Sequence, residues 1–236
     1  ILSLLTRTLD SDEFYFMPSE LQPATGAARA AGVDGLPACN LEDSDLIVCL
    51  GADILETWGT VMRNNHIVAS GRSRLIYCGP ARNATAVVAD QWLPVKPGAE
   101  ALLLLGLANF LLKDQAPPQI AAYAPETVCA AVGVNPAALR ELALALSRAR
   151  RPLVITGSPA GQGGDVSLAR LGFAFNQMLP GSALSFMPGP EPALAGASRF
   201  TDLACNDLYA RAAGAGKRSA PELLICYDAN PVYALP

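Results

Sequence analysis

The chain has 236 residues, and its 17 Lys and Arg against 21 Asp and Glu give a formal net charge of -4 at pH 7. Apolar residues make up 51% of the chain, which suffices for the core of one large domain or two small ones and excludes a disordered protein. The near balance of charges provides no broad basic surface, so we expect no nucleic-acid partner.

The chain opens on Ile1 within a helical pattern, without an initiator Met, a signal peptide or a twin-arginine leader. We therefore expect it to be a fragment of a longer polypeptide. The longest apolar stretch, residues 101–112, is shorter than the roughly 20 residues that a membrane-crossing helix needs. We expect no direct membrane span in this chain.

The first half of the chain alternates between strand and helix patterns. Residues 46–53 (LIVCLGAD) and 74–83 (RLIYCGPARN) are short apolar runs that end in turn-forming residues, as in strands that are buried on both faces. A helix is predicted after each strand, over residues 54–70 and 100–114. Residues 17–37, rich in Pro, Gly and Ala, are predicted to form an ordered loop.

The second half repeats the alternation. Residues 135–151 have Leu at helical spacing and precede an apolar strand that runs into GSPAGQGG, residues 152–164. A further helix is predicted over residues 166–179, a Pro-rich loop over 179–200, and a closing buried strand over 223–231. This alternation is typical of a doubly wound α/β fold with mainly parallel sheets.

The predicted fold indicates where a ligand binds. Ligands of open α/β sheets bind beyond the carboxyl ends of the strands, where glycines allow close approach and helix N-termini attract phosphates. The four Gly-, Asn- and Asp-rich turns would all lie on that edge, and GSPAGQGG is the strongest candidate for a phosphate-binding turn.

Acidic residues at strand ends or in loops are the candidate nucleotide ligands. Each could accept a hydrogen bond from a base or ribose; they are Asp45, Asp53, Asp90, Glu100 and Asp228. Taken singly, each could equally cap a helix or fix a turn, but their expected position together on one edge favours ligand binding. His66, the single histidine, is expected on a helix surface because no G-x-S-x-G elbow accompanies it. The six cysteines show no C-x-x-C spacing and are predicted to be buried thiols.

Four segments resemble, in this order, successive segments of the molybdopterin-dinucleotide oxidoreductases, the superfamily of dimethyl-sulfoxide and polysulfide reductases. They are residues 41–63 (LEDSDLIVCLGADILETWGTVMR), 74–112, 152–164 and 225–236 (ICYDANPVYALP). The closing segment is most similar to the molybdopterin-like subunits of quinone reductase complexes and alternative complex III. The resemblance implies two Rossmann-like lobes, with residues 44–98 inserted as a dinucleotide-binding-like lobe into an outer lobe of 1–43 plus 151–236, and 99–150 as a helical connection.

The resemblance also implies the cofactor-binding residues. Those that fill the family's turn positions are Gly51, Asp53, Glu56, Thr57, Pro80, Arg82, Asp90, Gly98, Glu100, Gly157, Gly161, Asn230 and Pro231. Where relatives commonly have Gly-Thr-Asp, this chain has Gly98, Ala99 and Glu100, which keeps the carboxylate and lengthens it by a methylene. The family's Cys motif for an iron-sulfur cluster is absent from this segment, and no residue matches a molybdenum ligand.

By resemblance, the chain is expected to belong to a membrane-associated respiratory complex that exchanges electrons with quinone at the periplasmic face of the bacterial inner membrane. The implied partners are an iron-sulfur protein, a cytochrome c and a membrane quinone-binding subunit. The implied cofactor is molybdopterin guanine dinucleotide, unless the fold keeps its shape without it, and the segment alone is not expected to be catalytic. Two alternatives stay open: the large iron-sulfur subunit of NADH dehydrogenase, and a free-standing nucleotide-binding or hydrolase domain.

Overall fold

The fold is known from a computed structural model that describes residues 37–157 and 166–186, together with five single positions: Thr8, Asp10, Leu223, Ile225 and Cys226. Every structural statement below concerns these residues.

The centre of the described fold is a four-stranded parallel sheet. Its strands, in chain order, are β2 (Leu46–Leu50), β3 (Arg74–Gly79), β4 (Gln91–Pro94) and β5 (Pro152–Thr156), and their order across the sheet is β4-β3-β2-β5. In register, Leu46 lies between Arg74 and Pro152. A separate antiparallel pair joins β1 (Pro37–Cys39) to β6 (Leu184–Phe186).

Helices surround the sheet. In chain order they are α1 (Val61–Ala69), α2 (Ala84–Val88), α3 (Glu100–Leu112), α4 (Pro118–Ala121), α5 (Pro125–Val132), α6 (Pro136–Arg148) and α7 (Val166–Met178). Their ends follow local chemistry. The Asn83 and Asn135 side chains accept from backbone amides at the starts of α2 and α6, and α5 ends at Gly133 in the left-handed conformation.

Both faces of the parallel sheet are buried, because successive side chains of each strand point to opposite sides. On one face, Val48, Ile76 and Val154 pack with apolar residues of α3, α5, α6 and α7. On the other face, Ile47 and Tyr77 pack with the segment after β2 and with α1 and α2. This arrangement explains why the strands read as continuous apolar runs, and it confirms the predicted α/β class with a parallel sheet.

The outer edge of β5 is closed by a side chain. Asn176 of α7 accepts a hydrogen bond from the Val154 amide through Oδ1 at 3.0 Å and donates to the Val154 carbonyl through Nδ2 at 2.7 Å. The amide side chain thus occupies the place of a neighbouring strand and satisfies backbone groups that would otherwise be unpaired.

Several sequence predictions are corrected by the structure. The first helix begins at Val61 instead of residue 54, and the predicted loops 17–37 and 179–200 contribute residues to the β1 and β6 pair. The closing strand over 223–231 is wrong for its described residues: Leu223 and Ile225 are 70% and 55% exposed and lie in no strand. Cys226 is exposed as well, contrary to the prediction of a buried thiol.

The parallel sheet crosses a predicted domain boundary. β5 falls in the predicted outer lobe, yet it pairs along its length with β2 of the predicted inserted lobe. The boundary at residue 151 therefore does not separate two sheets. Residues 100–148 form helices that pack on this same sheet, and the second lobe stays a prediction.

Membrane-crossing length is not reached by any single helix in the described ranges. Only α5 and α6 taken together are long and apolar enough, and these two helices are bent by 114° at the break between them.

Candidate functional site

Three turns meet at the carboxyl ends of the central strands. Gly51 follows β2, Pro80 follows β3 and Gly157 follows β5. The Gly51 amide donates to the Cys78 carbonyl at 2.9 Å, and the Gly157 amide donates to the Leu50 carbonyl at 3.0 Å. We call this side of the sheet, with the segment 95–100 after β4, the carboxyl edge.

Asp53 is buried at this edge and forms hydrogen bonds with other residues of the chain. Its Oδ1 accepts hydrogen bonds from the Thr85 amide at 3.2 Å and from the Thr85 hydroxyl at 2.5 Å. Its carbonyl accepts from the amides of Thr57 and Trp58 at 3.0 and 2.9 Å. The sequence favoured ligand binding for the acids at this edge, whereas these contacts favour turn fixing for Asp53, because Oδ1 is already satisfied by the chain.

The turn after Asp53 is held by asparagines that the sequence analysis did not identify. Asn64 of α1 donates to the carbonyls of Ile54 and Trp58 at 2.9 and 3.1 Å, and Asn65 donates to the Leu55 carbonyl at 3.0 Å. Glu56 and Thr57 lie exposed on this turn. Two adjacent asparagines inside the predicted helix 54–70 are the signal that could have indicated such a role, since Asn side chains readily bond to backbone groups.

Tyr77 of β3 is buried, and its hydroxyl bonds to a residue of the turn that follows the strand. Asn83 donates to the Tyr77 hydroxyl at 2.9 Å. Burial raises the pKa of Tyr77 to about 12, and the charges of Asp53 and Glu100 act in the same direction.

Arg82 is exposed in the same turn and lies over an aromatic ring. Its guanidinium carbon is 6.0 Å from the centroid of Trp92, and the Trp92 indole Nε1 donates to the Gly79 carbonyl at 3.1 Å. Trp92 lies in the second of the four segments that resemble the family, but its contact with Arg82 could not be predicted, because it depends on the pairing of β3 with β4.

Glu100 is the first residue of α3, and it is only 4% exposed. Its Oε1 has no hydrogen-bond partner among the described residues. Gly98, two residues earlier, has a φ of +74°, and a Cβ placed there would meet nothing within 4 Å. A buried acceptor without a donor is rare in native proteins, and here it belongs to the first residue of a helix.

Close packing around position 157 requires a glycine. A Cβ at this position would lie 2.9 Å from the Cα of Ala52 and 3.3 Å from the Trp58 ring. This crowding explains why residue 157 is a glycine, and the explanation needs no bound ligand. The sequence had instead indicated that Gly157 is part of a ligand-binding turn. Gly161, Asn230, Pro231 and Asp228 lie outside the described residues.

Asp90 is not brought to the carboxyl edge. It immediately precedes β4, and its Oδ2 accepts from the Leu75 amide near the start of β3 at 2.7 Å. Asp45 lies at the same amino end, where its carboxylate accepts from the amides of Arg150 and Arg151, both at 2.9 Å. Burial acts to raise the pKa of Asp45, but these amides outweigh it, so its pKa is lowered.

His66 and two strand cysteines are further reactive side chains among the described residues. His66 is exposed in the last turn of α1. Cys49 and Cys78 are buried, and burial raises the pKa of Cys78 to about 12. Within the described parts of the chain, no three His, Cys, Asp or Glu side chains are grouped closely enough to hold a metal ion.

Comparison with known proteins relates this fold to redox enzymes. The profile of the molybdopterin oxidoreductase family matches residues 7–170. The menaquinone reductase molybdopterin-binding-like subunit of Nitratidesulfovibrio vulgaris is 37% identical over 259 aligned residues, which cover 100% of this chain and 38% of that subunit. A nitrate reductase of Shewanella frigidimarina is 32% identical over 111 residues, 46% of this chain and 12% of that enzyme.

A solved structure agrees at the level of fold. Acetylene hydratase from Pelobacter acetylenicus superposes with a TM-score of 0.54 at 16% identity, covering 66% of this chain and 24% of that enzyme. The chain thus spans well under half the length of these relatives. The profile match, together with the similarity of this whole chain to part of the menaquinone reductase subunit, shows that the chain belongs to the molybdopterin oxidoreductase family.

Proposed function

We propose that the carboxyl edge binds the guanine nucleotide end of a molybdopterin guanine dinucleotide. The observation that carries this proposal is the unpartnered Oε1 of Glu100. Leaving a buried carboxylate oxygen without a donor costs free energy, and a bound group that donates a hydrogen bond there removes the cost. Guanine offers donors of the required kind on its N1 and N2 atoms.

The surrounding residues fit such a ligand. Gly98 leaves open space before Glu100, and the N-terminus of α3 has no side-chain cap, so its amides are available to the ligand. Arg82 supplies a positive charge on the neighbouring turn. Glu100, Gly98 and Arg82 are therefore the residues that would hold the nucleotide, with Gly51 and Pro80 in the adjacent turns.

The cofactor, when bound with its metal, supplies oxidation-reduction chemistry at the pterin end. The described residues of this chain would bind and orient the nucleotide end. Asp53 and Asn64 would keep the turn after β2 in place, since they already bond to its backbone.

Titration calorimetry with GDP and ADP tests the nucleotide site. We expect the chain to bind GDP more tightly than ADP. Glu100→Gln should weaken GDP binding by roughly tenfold or more, because the charged acceptor is lost. Glu141→Gln, at an exposed position of α6, is the matched control and should leave GDP affinity unchanged. Equal affinity of the wild-type protein and Glu100→Gln for GDP would contradict the proposal.

We further propose that the chain acts in a respiratory complex that exchanges electrons with quinone at the periplasmic face of the inner membrane. Support comes from the menaquinone reductase subunit, which is similar over the whole chain. The proposed partners are an iron-sulfur protein, a cytochrome c and a quinone-binding membrane subunit. Affinity purification from native membranes should recover them, and recovery of the protein without any of them would argue against the complex.

Molybdenum analysis of the purified protein distinguishes a loaded site from a scaffold that keeps only the fold. Molybdenum near one atom per chain would mean a loaded cofactor, and a lack of both molybdenum and pterin would favour the scaffold.

A further inference from the structure

The acidic residues at the carboxyl edge would repel a dinucleotide unless a basic side chain lies close to its phosphates. The pyrophosphate of such a ligand carries roughly two negative charges, and the edge already has the acidic residues Asp53, Glu56 and Glu100. Two basic residues follow strands at this edge: Arg82 comes after β3 and Lys96 after β4. An opposite charge close to the phosphates is needed to offset the repulsion between ligand and carboxylates.

The Lys96 side chain contacts the end of α5. Its Nζ is 3.5 Å from the Ala130 carbonyl in the last turns of α5, and its side-chain carbons lie close to Gly133. The negative end of the α5 dipole holds the ammonium there. Lys96 thus serves the contact between the segment after β4 and α5.

Arg82 has a different neighbour. Among the described residues it forms no ion pair with a carboxylate, and its guanidinium lies over the ring of Trp92 instead. An arginine that stacks on an aromatic face keeps its N–H donors free in the plane of the guanidinium, so they can still bind phosphate.

Trp92 is itself fixed. Its Nε1 bond to the Gly79 carbonyl ties the ring to the end of β3, three residues before Arg82, and its backbone pairs with Tyr77. The side chain is 36% exposed, which leaves ring surface available to the guanidinium. The ring is therefore a rigid support at the edge strand of the sheet.

We propose that Trp92 is a positioning residue that holds the guanidinium of Arg82 in place for a nucleotide phosphate at the carboxyl edge. This inference rests on the proposed nucleotide site, and it adds a residue whose effect on binding passes through Arg82. Without the ring, the long arginine side chain would sample many rotamers and lose entropy when it binds phosphate.

A double-mutant cycle on GDP affinity tests the proposal in the full chain. Trp92→Leu should weaken GDP binding by roughly tenfold, and Arg82→Gln by a similar factor. In the Arg82→Gln background, Trp92→Leu should change GDP affinity by less than about twofold, because its effect needs the guanidinium. Trp92→Phe, which keeps an aromatic face, should retain affinity within about threefold of the wild-type protein.

Several outcomes would overturn the inference. One is a tenfold loss of GDP affinity from Trp92→Leu in both the wild-type and the Arg82→Gln background, which would indicate general damage to the site. Another is a Trp92→Leu variant whose GDP affinity is unchanged. Circular dichroism confirms folding, and Trp92→Met replaces the leucine variant if that variant does not fold. A wild-type protein that fails to bind GDP would instead refute the nucleotide site, and the inference with it.

Discussion

Asp53 and Glu100 are both buried carboxylates at the carboxyl edge, and their contacts separate their roles. Asp53 has two donors from Thr85, whereas Oε1 of Glu100 has none among the described residues. The sequence could place both acids near strand ends but could not distinguish them, because the distinction depends on which donors the folded chain brings close. For the same reason the sequence did not indicate Tyr77 as part of the site or the contact of Trp92 with Arg82.

Backbone strain at Lys113 leads to a prediction for a single residue. Lys113 follows α3 with φ +50° and ψ -126°, a conformation that glycine adopts readily and side-chain-bearing residues avoid. Lys113→Gly should therefore raise the free energy of unfolding by about 1 kcal/mol, as measured by urea denaturation. Gln115→Gly, in the same exposed turn, is the control and should bring no gain; an equal or lower stability for Lys113→Gly would refute the strain.

At the scale of elements, the sequence predicted the strands with the clearest physical signal. β2, β3 and β5 are apolar runs buried on both faces, so they could be found without the structure. β4 has four residues and ends in a proline, and β1 and β6 have three each, too few for any periodicity. The late start of α1 results from contacts of Asp53, Asn64 and Asn65 with the preceding turn, which local pattern does not reveal.

The contact between α3 and α5 depends on a glycine. A Cβ on Gly106 would lie 2.7 Å from Cγ1 of Val128. Gly106→Ala should lower the free energy of unfolding by about 1 to 3 kcal/mol because of this overpacking, despite the better helix propensity of alanine. Thermal or urea denaturation measures the change.

Val128→Ala provides the matched test of that explanation. In the Val128→Ala background the added methyl group finds space, so Gly106→Ala should cost less than it does in the wild-type protein. An equal cost in both backgrounds would show that this contact is not the cause.

At the scale of the whole molecule, the two ends of the parallel sheet have different tasks. The amino end carries acids that bond to backbone amides and hold strands together, as Asp45 and Asp90 do. The carboxyl end carries Glu100, whose Oε1 has no hydrogen-bond partner among the described residues, and Arg82, which lies over the Trp92 ring. The family resemblance implies a place for Asp90 with the carboxyl-edge residues, because distance along the chain does not show at which end of the sheet a loop lies.

Asp45 makes stability depend on pH in a predictable direction. Its pKa is lowered in the folded protein, so its contribution is present above the unfolded value of about 4 and is lost as the pH falls toward the folded value. Asp45→Asn should destabilise the protein at pH 7, and the difference from the wild-type protein should shrink below about pH 4. Urea denaturation at both pH values, with Asp114→Asn as an exposed control, measures this; a difference that grew on acidification would contradict the assignment.

The most direct test of the central claim is the amount of GMP that acid hydrolysis releases from the protein purified from its native host. A guanine dinucleotide bound at the carboxyl edge predicts at least one GMP per chain in the wild-type protein and a clear loss in Glu100→Gln, with Glu141→Gln unchanged. A wild-type protein that releases no GMP, or a Glu100→Gln variant that retains all of it, would contradict the role assigned to this edge.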